Sequence, residues 1–220
     1  MTKKLKEFLP SIIAVLIALF IGGIIMISKG VNPLFAYADM AKAAFYQASP
    51  RSPFLGGLAK TLFLSTPLIF SALAAMVAFK AGLFNIGAQG QMVAGGLVAA
   101  FWAVTFRNYF LGNVFVVLIV AIAGGFLWAG IAGFLKSKFG VNEVISTIML
   151  NYIMVNWQNY LLNGPLNDPA SQNTQTEKVF EGARLVTIFS KVTKQNLNIG
   201  FIIAILLVIG IYLFFRYSKL

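Results

Sequence analysis

Six predominantly apolar runs, separated by short polar breaks, organise the chain: Phe8 to Ser28, Phe54 to Phe79, Met92 to Phe106, Leu111 to Leu135, Val141 to Leu162 and Ile199 to Phe215. Runs of about 18 or more such residues are long enough to cross a bilayer as helix. The pattern predicts an all-α, polytopic transmembrane helix bundle of about six spans, forming one membrane domain over residues 1–220. Met92 to Phe106 is short for a crossing and reaches the required length only when counted from Leu83. Part of the glycine-rich polar stretch GLFNIGAQGQM, Gly82 to Met92, is therefore expected at membrane depth, as a broken or re-entrant segment near residues 82–92.

Between the first two runs, Leu34, Tyr37, Ala38, Ala41, Ala44, Phe45 and Ala48 recur at helical spacing. They predict a helix over Pro33 to Ala48, either on the outer surface with its apolar face in the bilayer or packed against the bundle. Pro67 lies mid-span, where the missing N–H predicts a kink. Ala121, Gly125, Ala129 and Gly133 follow one another at four-residue spacing, a small-residue stripe that lets two helix backbones approach. Asn163 to Asn198 is a long polar loop with Pro165, Pro169, Asp168, Glu177 and Glu181, and this composition favours mobility over docking.

Composition places these runs in a membrane, for 59% of the chain is hydrophobic and its mean hydropathy is +0.85. The net charge is +11, from 17 basic and 6 acidic residues. The basic residues sit between spans and form no stripe with interleaved aromatics, which argues for membrane orientation and against a nucleic-acid partner. Basic residues are densest around Lys3, Lys4, Lys6, Lys80, Lys136, Lys138, Arg216 and Lys219, so these sites and the N-terminus are expected in the cytoplasm, and Arg51, Arg107 and Glu177 outside. Lys60 can snorkel near an outer span end. The first apolar run is too long for a signal-peptide core and reads as a retained span.

The chain has no cysteine and no histidine. That excludes disulfides, thiol nucleophiles, most zinc chemistry and the usual general base, leaving no catalytic residues, metal site or cofactor to assign. No GxxxxGK[ST] phosphate loop occurs, so an ATP engine would have to be another polypeptide.

Two polar clusters remain. Asn85, Gln89 and Gln91 bring amides to a place where hydrocarbon penalises each unsatisfied group. One reading is a tight turn in which Gly87 and Gly90 supply left-handed backbone. The other is a broken helix whose amides line a pathway. In GVNEVISTIMLNYI, Gly140 to Ile153, the residues Glu143, Thr147 and Asn151, with Gln158 beyond, fall within an arc of about 80° on one helix face. Such a stripe belongs in a bundle interior. Glu143 has a second reading as a carboxylate complementing the helix N-terminus, with Asn142 as cap. Amides donate and accept without placing fixed charge in a path, which suits neutral, hydrogen-bond-rich cargo, and Phe84 offers a stacking surface for a base. The candidate pathway residues are thus Phe84, Asn85, Gln89, Gln91, Glu143, Thr147 and Asn151.

At these two stretches, and at NPLFAYADMAKAAF from Asn32 to Phe45, the sequence resembles the permease subunit of bacterial nucleoside and simple-sugar ABC importers, in the superfamily of ribose and branched-chain amino acid permeases. The resemblance implies a multi-pass permease of the cytoplasmic (inner) membrane that moves nucleosides or related sugars. It further implies a separate cytoplasmic ABC ATPase, a second, related permease subunit forming a heterodimer, and an extracellular substrate-binding lipoprotein. In that family a coupling helix and further spans follow the span equivalent to Ile199 to Phe215, so this sequence is expected to be the N-terminal part of such a permease. The competing readings are a passive channel or facilitator for small neutral solutes, and a non-transporting membrane scaffold. The membrane lipid is the remaining expected partner.

Overall fold

Helices occupy all six positions at which apolar runs predict spans in the computed structural model, which describes residues 3–45, 56–188 and 196–218. The described residues form seven α-helices: α1 Lys3–Ser28, α2 Pro33–Phe45, α3 Gly56–Lys80, α4 Ala88–Thr105, α5 Val114–Phe139, α6 Glu143–Asn163 and α7 Gly200–Tyr217. Phe110–Gly112 and Glu181–Ala183 are single 3-10 turns, and one isolated β-bridge joins Thr187 to Asn198. Among the described residues α3, α5 and α7 are each long and apolar enough to cross a membrane alone. The stretch Ile12–Ser28 and α2 reach that standard as a pair, bent by 117°. Helices α4 and α6 fall short in hydropathy because they carry polar side chains, Gln89 and Gln91 in α4 and Asn151, Asn156, Gln158 and Asn159 in α6. Arg51 and Lys219, expected from sequence on opposite sides, lie outside the described residues, as do positions 46–48 of the expected outer helix.

The chain divides into two compact units, Met1–Phe63 with Phe189–Leu197, and Leu64–Ile188 with Asn198–Leu220. In the first, Gly30 ends α1 in a left-handed conformation, φ 76°, and two bonds, Gly30 N to Ile27 O and Val31 N to Met26 O, close a Schellman turn. Asn32 Oδ1 then accepts from Leu34 N and starts α2. The Tyr37 hydroxyl donates to Leu19 O at 2.6 Å, so α2 folds back on α1. Leu34 and Phe35 stay largely exposed. Helix α2 therefore has one face on the protein and an apolar face turned outward, parts of both readings of this stretch.

The second unit is centred on α4 packed against α5 and α6. A Cβ at Gly95 would lie 2.7 Å from Ala121 O, and one at Gly125 would lie 3.1 Å from Gln91 O, so α4 and α5 touch backbone to backbone. The stripe read from sequence supplies Ala121 and Gly125 to this contact, while nothing stands within 4 Å of a Cβ at Gly133. Asn113 caps α5 by accepting from Phe115 N and Val116 N, and Gly140, φ 67°, ends it. Pro67 is accommodated inside a helix that continues from Gly56 to Lys80.

The described part of the 163–198 loop is not the free segment its composition suggests. Ala183, Val179 and Phe180 pack with Ala99, Trp102, Ala103 and Val117 on the ends of α4 and α5. Arg107 meets Glu177 at 3.4 Å, and Arg184 Nε donates to Val179 O at 2.7 Å. Three apolar side chains in a polar stretch suffice to anchor it, because the small side chains of Ala99 and Ala103 leave a seat on α4. Arg107 and Glu177, both expected outside, are neighbours.

Candidate functional site

Seven non-helical residues, Ala81 to Gly87, separate α3 from α4, and their backbone groups find partners that a helix would have supplied. Gly82 takes φ 76° and ends α3 in a Schellman turn, with Gly82 N bonded to Phe79 O and Leu83 N to Ala78 O. Gly82 is thus the left-handed glycine of the motif, in place of Gly87 and Gly90. Gly87 has φ −82° as the residue capping α4, and Gly90 is inside that helix. Both are glycine for want of space. A Cβ at Gly87 would stand 2.8 Å from Asn85 Oδ1, and one at Gly90 would stand 2.7 Å from Asn151 Oδ1 and 3.1 Å from Asn151 Cα.

The polar stripe of α6 lies along this interruption. Phe84 N donates to Glu143 Oε1 at 3.4 Å, and Ile86 N donates to Thr147 Oγ1 at 3.4 Å. One turn further, Asn151 Oδ1 accepts from Gly90 N at 2.8 Å while Asn151 Nδ2 donates to Ile86 O at 3.0 Å. Glu143 and Thr147 stand one turn apart, about 6 Å along α6, while within the connection Asn85 N donates back to Leu83 O at 3.0 Å. Gly90 is the third residue of α4, and its amide is one of those that a helix start leaves open. Gly87 has no side chain to cap it, so Asn151 does so from another helix.

Asn85 closes the segment from within. Its Oδ1 accepts from Gly87 N at 2.7 Å and from Gln91 Nε2 at 3.3 Å. Gln91 and Asn85 are half-buried, whereas Gln89 is exposed on the first turn of α4. Phe84 is 56% exposed and stacks on Phe79 with ring centroids 4.7 Å apart. The residues expected to form one pathway thus divide into two groups. Phe84, Asn85, Gln89 and Gln91 belong to the interruption and the start of α4, and Glu143, Thr147 and Asn151 hold its backbone from α6.

Glu143 stands at the helix terminus that its second reading requires. It is the first residue of α6, where Asn142 Oδ1 caps by accepting from Val144 N at 2.9 Å. Its carboxylate also pairs with Lys136 at the end of α5, across the turn at Gly140, as it accepts from Phe84 N. Lys136 carries no sequence signal beyond orientation, although its distance of seven residues from Glu143 across a helix-ending glycine permits the pair. Trp128 is a second residue that periodicity does not mark. Its indole Nε1 is buried without a partner among the described residues, 3.2 Å from where a Cβ of residue 90 would be.

Beside the interruption, a groove of about 540 Å³ opens between α3, α4 and α5. Phe70, Met92 and Phe126 give it apolar walls, and Gln91 and Ser71 are its polar residues. Gln91 therefore touches both the groove and the Asn85 network.

Residues 57–220 match the family described as the branched-chain amino acid transport system / permease component. The chain is 34% identical over 208 residues to the guanosine ABC transporter permease protein NupP of Bacillus subtilis, covering 94% of this chain and 57% of the relative. It is 34% identical over 227 residues to the nucleoside ABC transporter permease protein NupB of Lactococcus lactis, covering 100% of this chain and 60% of the relative. A glucose ABC transporter permease protein of Haloferax volcanii is 30% identical over 216 residues, covering 95% and 55%. The chain thus spans under two thirds of the length of these relatives. No solved structure matches it significantly.

Proposed function

The chain belongs to the branched-chain amino acid transport system / permease component family, and from that premise we propose that it builds the translocation pathway of an ABC importer for nucleosides or related simple sugars. The observation that carries this reading is a non-helical connection between two helices that presents uncharged amides. Asn85, Gln89 and Gln91 stand with the Phe84 ring where α3 gives way to α4, next to a groove of about 540 Å³. Amides and an aromatic face match a sugar's hydroxyls and a base, and no arginine is needed for a cargo without charge. The names of the relatives from Bacillus and Lactococcus point to the same chemical class.

In this reading the protein sits in the cytoplasmic membrane with its N-terminus inside, and makes no covalent change to its cargo. ATP hydrolysis falls to a separate cytoplasmic ATPase. A second permease subunit completes the cavity, and an extracellular binding lipoprotein delivers the cargo. Closure of the ATPases then switches the side from which the cavity is open.

Uptake of radiolabelled nucleoside, normalised to membrane abundance, tests the site in the full transporter. Asn85→Leu and Gln89→Leu are expected to lower uptake by roughly tenfold, the scale of one or two lost hydrogen bonds. Wild-type uptake in both variants would return the glycine-rich stretch to a simple turn. Counterflow in liposomes lacking the ATPase would instead identify a passive facilitator.

A further inference from the structure

We infer that Glu143, Thr147 and Asn151 are positioning residues: they hold the backbone of Phe84 to Gly90 in place and cap α4, and cargo meets the side chains this segment presents. The role given to cargo rests on the transport reading above, while the clamp itself stands on geometry alone.

Three α6 side chains at successive turns supply acceptors to three amides, those of residues 84, 86 and 90. Each is already engaged. Thr147 gives its hydroxyl proton to Glu143 O at 2.6 Å, which leaves an oxygen lone pair for Ile86 N. Asn151 uses its oxygen on Gly90 and its nitrogen on Ile86, a two-ended clasp that fixes which way the amide faces. The Glu143 carboxylate is shared between Phe84 N and Lys136. In an apolar surrounding an unsatisfied amide is costly, so the groups that satisfy these amides are committed to them. Phe84 and Gln89 are exposed, and Gln91, just past the segment, reaches the groove, so these side chains are the ones left open to a solute.

Hydrogen–deuterium exchange of the purified chain in nanodiscs tests the clamp without any transport measurement. Thr147→Val, nearly isosteric, removes the hydroxyl, Thr147→Ser restores it, and Asn151→Leu removes both ends of the clasp. Exchange in residues 83–90 is expected to rise roughly threefold to tenfold in Thr147→Val, to return in Thr147→Ser, and to rise at least as far in Asn151→Leu, the scale of one lost hydrogen bond. Exchange in residues 96–105 should stay unchanged. Wild-type exchange over 83–90 in both Thr147→Val and Asn151→Leu overturns the clamp. Should Asn151→Leu loosen the whole chain, the valine and serine pair decides alone. In the full transporter, uptake of nucleoside analogues each lacking one hydroxyl should fall by the same factor for every analogue in Thr147→Val. Losses that depend on the missing hydroxyl would make Thr147 a cargo contact and overturn the positioning role. Absence of uptake by the wild-type full transporter sinks the transport reading and leaves the exchange result standing.

Discussion

Asn151 reaches the amide of Gly90 at 2.8 Å, and the bond exists only because residue 90 has no side chain. A methyl there would stand 2.7 Å from the accepting oxygen. The cap of α4 is therefore shared between two helices: one gives up its side chain and the other provides the acceptor.

Gly90→Ala is expected to destabilise the protein by about 1–3 kcal/mol, the range of an overpacked site. Gly96→Ala, on the same helix with nothing within 4 Å of its Cβ, should be neutral or stabilising by up to about 1 kcal/mol from helix propensity. Melting temperatures in one detergent compare the two. Equal behaviour would mean that α4 and α6 do not approach here as described.

Gly82→Ala isolates backbone strain from packing, since residue 82 has φ 76° and open space around its Cβ. A loss of about 1 kcal/mol is expected, the cost of left-handed backbone for an L-residue. The same melting assay reads it, and an unchanged or raised melting temperature would place the end of α3 elsewhere.

Lys136 and Glu143 are expected to be coupled. Lys136→Met and Glu143→Leu should each lower the melting temperature, and the double variant should lose less than their sum. Glu143→Gln should lose less than Glu143→Leu, because its amide oxygen still accepts from Phe84 N. With side chains 35% and 21% exposed, the coupling should shrink between low salt and about 1 M salt. Strict additivity would show that the pair contributes nothing.

Orientation is tested by labelling, and the absence of native cysteine makes single-cysteine variants clean. Cysteines at Arg107 and Glu177 should react with an impermeant maleimide in intact cells, and those at Lys136 and Lys138 only after permeabilisation. Reaction at Lys138 in intact cells would invert the proposed orientation.

Much of this site is legible in the sequence as faces and little of it as contacts. Periodicity at 100° per residue puts Glu143, Thr147 and Asn151 on one stripe, and the structure keeps them there. What the stripe faces lies about 60 residues away, and no local pattern carries that separation. The motif's glycines are likewise plain in the sequence, but which of them is left-handed depends on where α3 stops. Three apolar residues hold the described part of the 163–198 loop to α4 and α5, although its prolines and charges suggest a free segment. Their seat is made of alanines, and alanine on a span looks the same whether it receives a neighbour or faces lipid.

The contact of Gly95 with Ala121 and of Gly125 with Gln91 removes the layer of side chains that normally lies between two helices. Packed helices slide by small rearrangements of that layer, and α4 and α5 have almost none to rearrange at this point. Over these turns the two backbones touch directly, so a side chain larger than glycine at residue 95 or 125 would have to force them apart. Under the transport reading proposed above, a change in the open side would then be taken up at borders where long side chains intervene, and a substitution that pries this pair apart would disturb it.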